Sequence, residues 1–186
     1  MSSSKKGSVV QWVIVTIILL TLAFYIFNSM EDKTNVVDVN STENPTVVMK
    51  TNMGVIELEL FINESPITAG NFKKLVEEGF YDGTRFHRVI GNFMIQGGDP
   101  TGTGMGDPSI PKIKDEFVSG HSNIRGTISM ANAGPNTGSS QFFINLVNNS
   151  FLDFDKQPSS SKHPVFGEVI EGMEIVDKIV NVPVGA

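Results

Sequence analysis

The pattern most suggestive of chemistry in this sequence is a glycine-rich run, GTGMGD, from Gly102 to Asp107. Loops of this kind bind nucleotide phosphates through their backbone amides. The dinucleotide pattern, however, requires a glycine where Asp107 stands, and the Gly-Lys-Ser/Thr ending of a P-loop is absent. The run therefore predicts a flexible surface loop rather than a nucleotide site.

Side chains for metal, redox and nucleophilic chemistry are also poorly placed. The three histidines, His87, His121 and His163, lie too far apart in sequence for a local metal motif. The absence of cysteine excludes disulfides, thiolate zinc sites, iron–sulfur clusters and cysteine nucleophiles. There is no Gly-x-Ser-x-Gly elbow either. We therefore expect a protein that needs no metal and no cofactor.

Short apolar segments separated by turns must position whatever site the chain contains. They predict a series of β-strands at 47–51, 55–61, 86–90, 93–96, 127–131, 141–145 and 165–169. Ser65 as N-cap, Pro66 at the first helical position and Gly79 after the last predict one helix. An apolar stripe from Met173 to Val180 predicts a second. Many short strands with two flanking helices favour a mainly β fold, a barrel or a sandwich.

Three segments carry a resemblance to a known family. They are FHRVI (86–90) followed by FMIQGGDP (93–100), SMANAGPNTGSSQFFI (129–144), and FLD (151–153) followed by HPVFG (163–167). Together they closely resemble the signature sequences of the cyclophilins, which are peptidyl-prolyl cis–trans isomerases. The resemblance extends over about residues 47–183.

The resemblance implies an eight-stranded antiparallel β-barrel capped by two α-helices, with the active site in a groove on its outer face. By matching motif positions, it implies that Arg88 and Gln96 are the catalytic residues. The implied substrate-binding residues are Phe93, Met94, Ala131, Asn132, Gln141, Phe143, Phe151, Leu152 and His163. Taken singly, the aromatic residues would be ordinary core residues and Arg88 a solvated charge, so the prediction depends on the joint pattern.

The resemblance also implies how such residues suffice for catalysis. Rotation about an Xaa-Pro bond crosses a barrier of about 18–20 kcal/mol, which amide resonance creates. A twisted amide has a more basic nitrogen, so a hydrogen bond from Arg88 would lower the barrier without proton transfer. Gln96 would orient the guanidinium, and the main chain at Asn132 would bind the substrate backbone. The proline ring would be held in an apolar pocket. The residues that would form this pocket are Phe93, Met94, Phe143 and Leu152, with His163 as one wall.

Three features depart from the usual cyclophilin pattern. Phe151 stands where many members carry a tryptophan, whose indole N–H the family uses to bind cyclosporin, so we expect weak cyclosporin binding and intact catalysis. Residues 154–161 form a mostly polar insertion, which predicts a mobile loop beside the groove. Members usually continue past the last helix with another strand, whereas this sequence stops after residues 181–186, which predicts a truncated chain or a different barrel closure.

An uncharged apolar segment precedes this domain. Residues 9–27 would span about 28 Å as a helix, close to the ~30 Å hydrocarbon thickness of a bilayer. Lys5 and Lys6 before the segment predict a cytoplasmic N-terminus. The predicted parts are a cytoplasmic tail (1–8), a transmembrane signal anchor (9–27), a flexible linker (28–46) and an extracytoplasmic isomerase domain (47–186). A cleaved signal peptide is the alternative, although its apolar core would be unusually long.

Charge and composition restrict the partners. A net charge of −6 and an isoelectric point near 5.0 argue against a protein that binds nucleic acid, which would carry a basic patch. We expect the partners to be proline-containing polypeptides and, through the N-terminal helix, the membrane. The sequence predicts an isomerase that assists the folding of exported or membrane proteins. There are two alternatives. One is a catalytically weak chaperone module that binds proline segments at the membrane surface, and the other is a structural membrane component.

Overall fold

The computed structural model describes residues 43–157 and 162–183. Within these residues no helix is long and apolar enough to cross a membrane. Three predicted segments lie wholly or mostly outside the described residues: the tail at 1–8, the anchor at 9–27 and the linker at 28–46. The last four residues of the insertion, 158–161, also lie outside them.

A β-hairpin opens the domain. Strands β1 (Thr46–Thr51) and β2 (Gly54–Leu60) pair antiparallel, with Thr51 opposite Gly54. The Thr51 hydroxyl closes the turn, because it donates to the Gly54 carbonyl oxygen at 2.7 Å and accepts a hydrogen bond from the Met53 amide at 3.0 Å. Every second residue of β2 is buried, as the period-two pattern predicts: Ile56, Leu58 and Leu60.

Helix α1 (Pro66–Glu77) begins and ends where the sequence predicts, but Ser65 is not its side-chain cap. Instead, Glu116 Oε2 accepts hydrogen bonds from the Ile67 and Thr68 amides, at 2.9 and 3.0 Å. A carboxylate satisfies these amides and also interacts favourably with the positive end of the helix dipole. Ser65 therefore occupies the N-cap position as predicted, while the first amides of the helix bond to Glu116, a residue distant in sequence, rather than to the Ser65 side chain.

The remaining elements complete one antiparallel sheet. They are β3 (Arg88–Ile90), β4 (Met94–Gly97), β5 (Thr127–Met130), β6 (Phe142–Asn145), a 3₁₀ turn (Ser150–Leu152), β7 (Val165–Glu171) and helix α2 (Met173–Val180). The strand order is β1-β2-β7-β5-β6-β4-β3. Among the described residues no segment joins β1 to β3, so seven strands form a half-barrel rather than the closed eight-stranded barrel that the resemblance implied.

Alternation along the central strands separates two apolar clusters. In β6, Phe142 and Ile144 belong to the main core, which also contains Phe72 of α1 and Val176 of α2. Phe143 points the other way and belongs to a smaller cluster. The same sheet therefore has a core on one face and a second apolar patch on the other.

Candidate active site

The strand register places three of the predicted site residues in one row. Arg88 on β3 pairs with Gln96 on β4, and Gln96 pairs with Phe143 on β6. Directly opposed residues in antiparallel strands project to the same face, with Cβ atoms about 4.5–5.5 Å apart. Three separate segments therefore present a cation, an amide and an aromatic ring side by side.

A chain of hydrogen bonds connects the polar residues of the site. Arg88 Nη1 donates to Gln96 Oε1 at 3.2 Å, and Gln96 Nε2 donates to Gln141 Oε1 at 2.9 Å. Gln141 Nε2 then donates to the Gly104 carbonyl oxygen at 3.0 Å. The Arg88 side chain remains exposed, and its guanidinium has five N–H donors, so donors remain available to a ligand.

An apolar pocket adjoins this chain of hydrogen bonds. Its buried and partly buried members are Met94, Phe143, Leu152, Phe93 and Ala131. The Arg88 guanidinium carbon lies 5.8 Å from the centre of the Phe93 ring, which places the cation at the rim of the pocket. Phe151 is 54% exposed and stacks on Phe93, with ring centres 6.1 Å apart and planes inclined by 19°.

His163 forms one wall of the pocket. Its ring meets the Phe143 ring edge-on, with centres 5.2 Å apart and planes at 84°. Its Nδ1 lies 3.1 Å from the Met130 carbonyl oxygen, and because a carbonyl only accepts, Nδ1 carries the hydrogen. Burial lowers the pKa of His163 below its usual value, and the hydrogen bond to Met130 offsets only part of that shift. The imidazole is therefore neutral near pH 7.

Comparison with known proteins agrees with this geometry. The family model described as cyclophilin type peptidyl-prolyl cis-trans isomerase/CLD matches residues 46–186, which is most of the chain. The chain belongs to the cyclophilin family. It is a peptidyl-prolyl cis–trans isomerase, as its relatives are.

Relatives of similar length support the same assignment. A peptidyl-prolyl cis-trans isomerase of Acinetobacter baylyi is 46% identical over 148 residues, which cover 79% of this chain and 78% of the relative. The human peptidyl-prolyl cis-trans isomerase-like 1 is 43% identical over 146 residues, which cover 75% and 82%. A solved cyclophilin type isomerase of Cryptosporidium parvum has a TM-score of 0.68 at 38% identity, covering 75% of this chain and 86% of that one. A second structure of that protein was determined in the presence of the dipeptide Ala-Pro.

A groove of about 850 Å³ continues from the pocket of this cyclophilin. Ala131 belongs to both, and Gln96, Gln141 and Asn132 line the groove further along. The Asn132 side chain is engaged within the protein, because its Nδ2 donates to the Lys162 carbonyl oxygen at 2.8 Å. The predicted substrate contact uses the main chain of Asn132, so it does not require this side chain, and it stays a prediction.

The insertion is anchored at the ends that the structure describes. Phe154 stacks against Phe117, with ring centres 5.4 Å apart and planes inclined by 22°. Lys162 Nζ donates to the Asp153 carbonyl oxygen at 2.8 Å. These contacts hold the chain on either side of the insertion, and so they keep Leu152 and His163 beside the pocket.

Two buried polar residues shape the site although no sequence pattern identified them as site residues. Asp99 lies fully buried under the glycine-rich run and accepts hydrogen bonds from its amides. Asn123 is 1% exposed and backs the pocket by donating to Asp153 Oδ1 and to the His163 carbonyl oxygen. An aspartate before a Thr/Gly run is typical of a turn, so Asp99 had a weak signal, and Asn123 had none. In residues 43–157 and 162–183 no three His, Asp or Glu side chains form a metal-binding group.

Proposed function

We propose that this cyclophilin accelerates Xaa-Pro rotation through Arg88, which donates a hydrogen bond to the nitrogen of the twisted prolyl amide. The observation that carries the proposal is the Arg88 guanidinium, bonded to Gln96 at the rim of the apolar pocket. In a planar amide the nitrogen lone pair is delocalised, and rotation localises it. The donor therefore gains its partner only near the transition state, which is the condition for lowering the barrier.

The contribution expected from Arg88 is several kcal/mol. Removing one preorganised donor from an enzyme site typically costs about 2.7–4 kcal/mol of transition-state stabilisation, or about 10²–10³ in rate. Arg88 meets the conditions for such a value, since Gln96 already fixes its orientation and no proton has to move. The positioning role belongs to Gln96, and the hydrogen-bond donation belongs to Arg88.

The apolar pocket is proposed to hold the proline ring while the peptide on its N-terminal side rotates. Phe143 and Leu152 would contact the ring faces, and the neutral His163 would close one side without adding charge. The chain before the proline would lie extended along the groove past Gln96 and Ala131. Phe151, exposed and stacked on Phe93, would cover the outer edge of the bound ring.

Substitution of Arg88 tests the catalytic proposal. In the full-length protein, Arg88→Ala should lower kcat/KM on a short Xaa-Pro peptide by about 10²–10³. Arg88→Lys should recover little of the loss, because an ammonium cannot reproduce the planar fork that contacts Gln96 and the substrate together. The matched control is Arg125→Ala, which removes an exposed arginine that is paired with Asp177.

Three outcomes would contradict the proposed mechanism. Activity that survives unchanged in Arg88→Ala would exclude Arg88 as the essential donor. A wild-type protein that binds proline peptides without accelerating their isomerisation would favour the alternative of a catalytically weak binding module. Equal losses in Arg88→Ala and Arg125→Ala would point to a general effect of removing positive charge.

We also propose that residues 9–27 anchor the enzyme in a membrane, with residues 1–8 cytoplasmic and 47–186 outside, where it assists exported or membrane proteins. The length of the uncharged segment and the lysines before it support this orientation. The test is protease treatment of intact spheroplasts that express the full chain. Cleavage in the linker 28–46 from the outside is expected, and a protected domain or extraction by carbonate would contradict the anchor. N-terminal sequencing would detect signal-peptide cleavage.

Cyclosporin is proposed to bind this enzyme weakly. Phe151 has no N–H to donate, unlike the tryptophan found in many family members. One neutral hydrogen bond contributes about 0.5–1.5 kcal/mol, so Phe151→Trp should tighten binding by roughly threefold to tenfold in calorimetry. Submicromolar affinity of the unaltered protein would contradict the proposal.

A further inference from the structure

The glycine-rich run is wound around a buried carboxylate. Asp99 is 0% exposed, and its Oδ1 accepts from the Thr101 amide and hydroxyl, both at 2.9 Å. Its Oδ2 accepts from the amides of Thr103 at 3.1 Å, Gly104 at 2.6 Å and Gly106 at 3.3 Å. Amides arranged like this form an anion site, and here the anion is part of the protein. The predicted flexible loop is therefore tied to the domain from below.

The carboxylate under the loop is ionised. Burial alone would raise the pKa of Asp99, but the hydrogen bonds from Thr101, Gly106 and Gly104 outweigh it and hold the pKa well below its usual range. Gly104 and Gly106 have φ values of +83° and +75°, a conformation that glycine adopts without strain. Both residues are needed to turn successive amides toward one carboxylate.

The anchored loop ends at the hydrogen-bond chain of the active site. The Gly104 amide donates to Asp99, and the Gly104 carbonyl oxygen accepts from Gln141 Nε2 at 3.0 Å. Fixing that carbonyl forces Gln141 to direct its NH₂ group to the loop and its oxygen to Gln96. Gln96 must then present NH₂ to Gln141, which leaves its oxygen for Arg88.

The orientation of the two amides matters because an arginine has no acceptor. If Gln96 turned over, its NH₂ group would face the guanidinium, and two sets of donors would oppose each other. A glutamine amide on its own turns readily, since its two ends are nearly the same size. A single fixed carbonyl at the far end of the chain removes this freedom from both glutamines.

We propose that Asp99 is a positioning residue for catalysis, because the loop it anchors orients Gln141 and Gln96 so that Gln96 presents its oxygen to Arg88. The inference rests on the role of Arg88 proposed above. Loss of the anchor lets Gly104 move, lets both amides turn, and releases the guanidinium from its catalytic position. The loop then acts on the rate of rotation without touching the proline.

Asp99→Asn in the full-length protein tests the proposal. It is expected to lower kcat about tenfold with little change in KM, since misorientation of a catalytic group costs rate more than binding. Asp82→Asn makes the same chemical change at an exposed aspartate and serves as the control. Asp99→Glu keeps the charge and should recover part of kcat if the carboxylate anchors the loop.

A double-variant cycle separates positioning from general damage. Gln141→Met breaks the chain between loop and guanidinium, so adding Asp99→Asn to it should change kcat less than twofold. An undiminished tenfold effect in the Gln141→Met background would overturn the proposal, because the effect would then bypass the chain. If Asp99→Asn does not fold, Gln141→Met alone replaces it, because Gln96 then loses the acceptor that fixes its amide, and kcat should also fall.

Nitrogen-15 NMR of the Arg88 guanidinium makes the two proposals distinguishable. Held by Gln96, its Nη groups should rotate slowly in the wild type and faster in Asp99→Asn. Faster rotation with unchanged kcat would support the positioning of Arg88 by Asp99 and contradict the catalytic role of Arg88. Unchanged rotation, with Arg88→Ala inactive, would overturn the inference and leave the catalytic proposal standing.

Discussion

The Asn123 side chain is expected to contribute about 3 kcal/mol to the free energy of unfolding, and Asn123→Ala tests this value. The residue is 1% exposed. Its Nδ2 donates to Asp153 Oδ1 at 2.9 Å and to the His163 carbonyl oxygen at 3.2 Å. Its Oδ1 accepts from the hydroxyl of the fully buried Ser129 at 2.8 Å. Alanine removes these three bonds, and with them the longer bond of 3.5 Å that Oδ1 accepts from Asn145 Nδ2, and leaves their partners inside the protein.

The magnitude follows from the partners. A hydrogen bond to a charged group contributes about 1.5–3 kcal/mol, and a neutral one about 0.5–1.5 kcal/mol. One charged and two neutral bonds give about 2.5–6 kcal/mol. Water can enter the space that the amide vacates and satisfy some of the partners, which brings the expectation to the lower part of that range.

Urea unfolding followed by circular dichroism measures the loss. Asn148→Ala is the control, because Asn148 is exposed and its side chain accepts one bond, from the Arg125 amide at 3.0 Å, so it should lose about 1 kcal/mol or less. Asn123→Ala should also raise KM, since its partners hold the chain at Leu152 and His163. A loss below about 1 kcal/mol, or equal to that of Asn148→Ala, would refute the reasoning.

Three further predictions concern the rest of the domain. Burial lowers the pKa of His163 below 6.5, so the unfolded chain binds a proton at this histidine before the folded protein does as the pH falls. The free energy of unfolding should therefore keep its full value above pH 6.5 and decline from there toward the lowered pKa. His163→Gln should reduce that decline, measured by urea titrations at pH 7.5 and 5.5. Glu116→Ala should cost about 1 kcal/mol by uncapping α1, and an unchanged urea midpoint would contradict the cap. Met105 is 88% exposed and lines the groove. Met105→Ser should therefore change the free energy of unfolding by no more than about 0.5 kcal/mol and should alter the relative kcat/KM of peptides that differ before the proline. If the variant and the wild type showed the same peptide preferences, a contact between Met105 and the bound peptide would be contradicted.

The strands of this cyclophilin could be predicted from sequence because their signal is local. Alternation in the middle of 55–61 predicts a half-buried strand and the short apolar run at 141–145 predicts another, and the structure places β2 and β6 within about a residue of those ranges. The row Arg88–Gln96–Phe143 was different, because it depends on register between strands. A shift of one residue in either pair would move a side chain to the opposite face, and only the family motifs brought these residues together beforehand.

Two hydrogen-bond arrangements could not be predicted from local sequence rules. Ser65 satisfies every local rule for an N-cap, yet Glu116 caps the helix from another part of the chain. The run at 102–107 has the composition of a mobile loop, yet Asp99 binds its amides from below. In both cases a carboxylate accepts the hydrogen bonds of backbone amides, and its identity cannot be recognised from the residues of the helix end or of the loop alone.

Asp99 and Asn123 have corresponding roles in the polar part and in the apolar part of the site, which are called its two halves below. Asp99 anchors the loop that contacts the polar half, where Gln96 holds Arg88, and Asn123 anchors the chain that forms the apolar half beside His163. An apolar residue could fill either space, but dispersion contacts have little directionality, whereas a satisfied hydrogen-bond network fixes the orientation of each partner. Because the polar half is proposed to act on the rotating amide and the apolar half to hold the ring, disturbing Asp99 should change mainly kcat and disturbing Asn123 mainly KM. Similar changes of both parameters in the two variants would mean that the halves are coupled through the sheet.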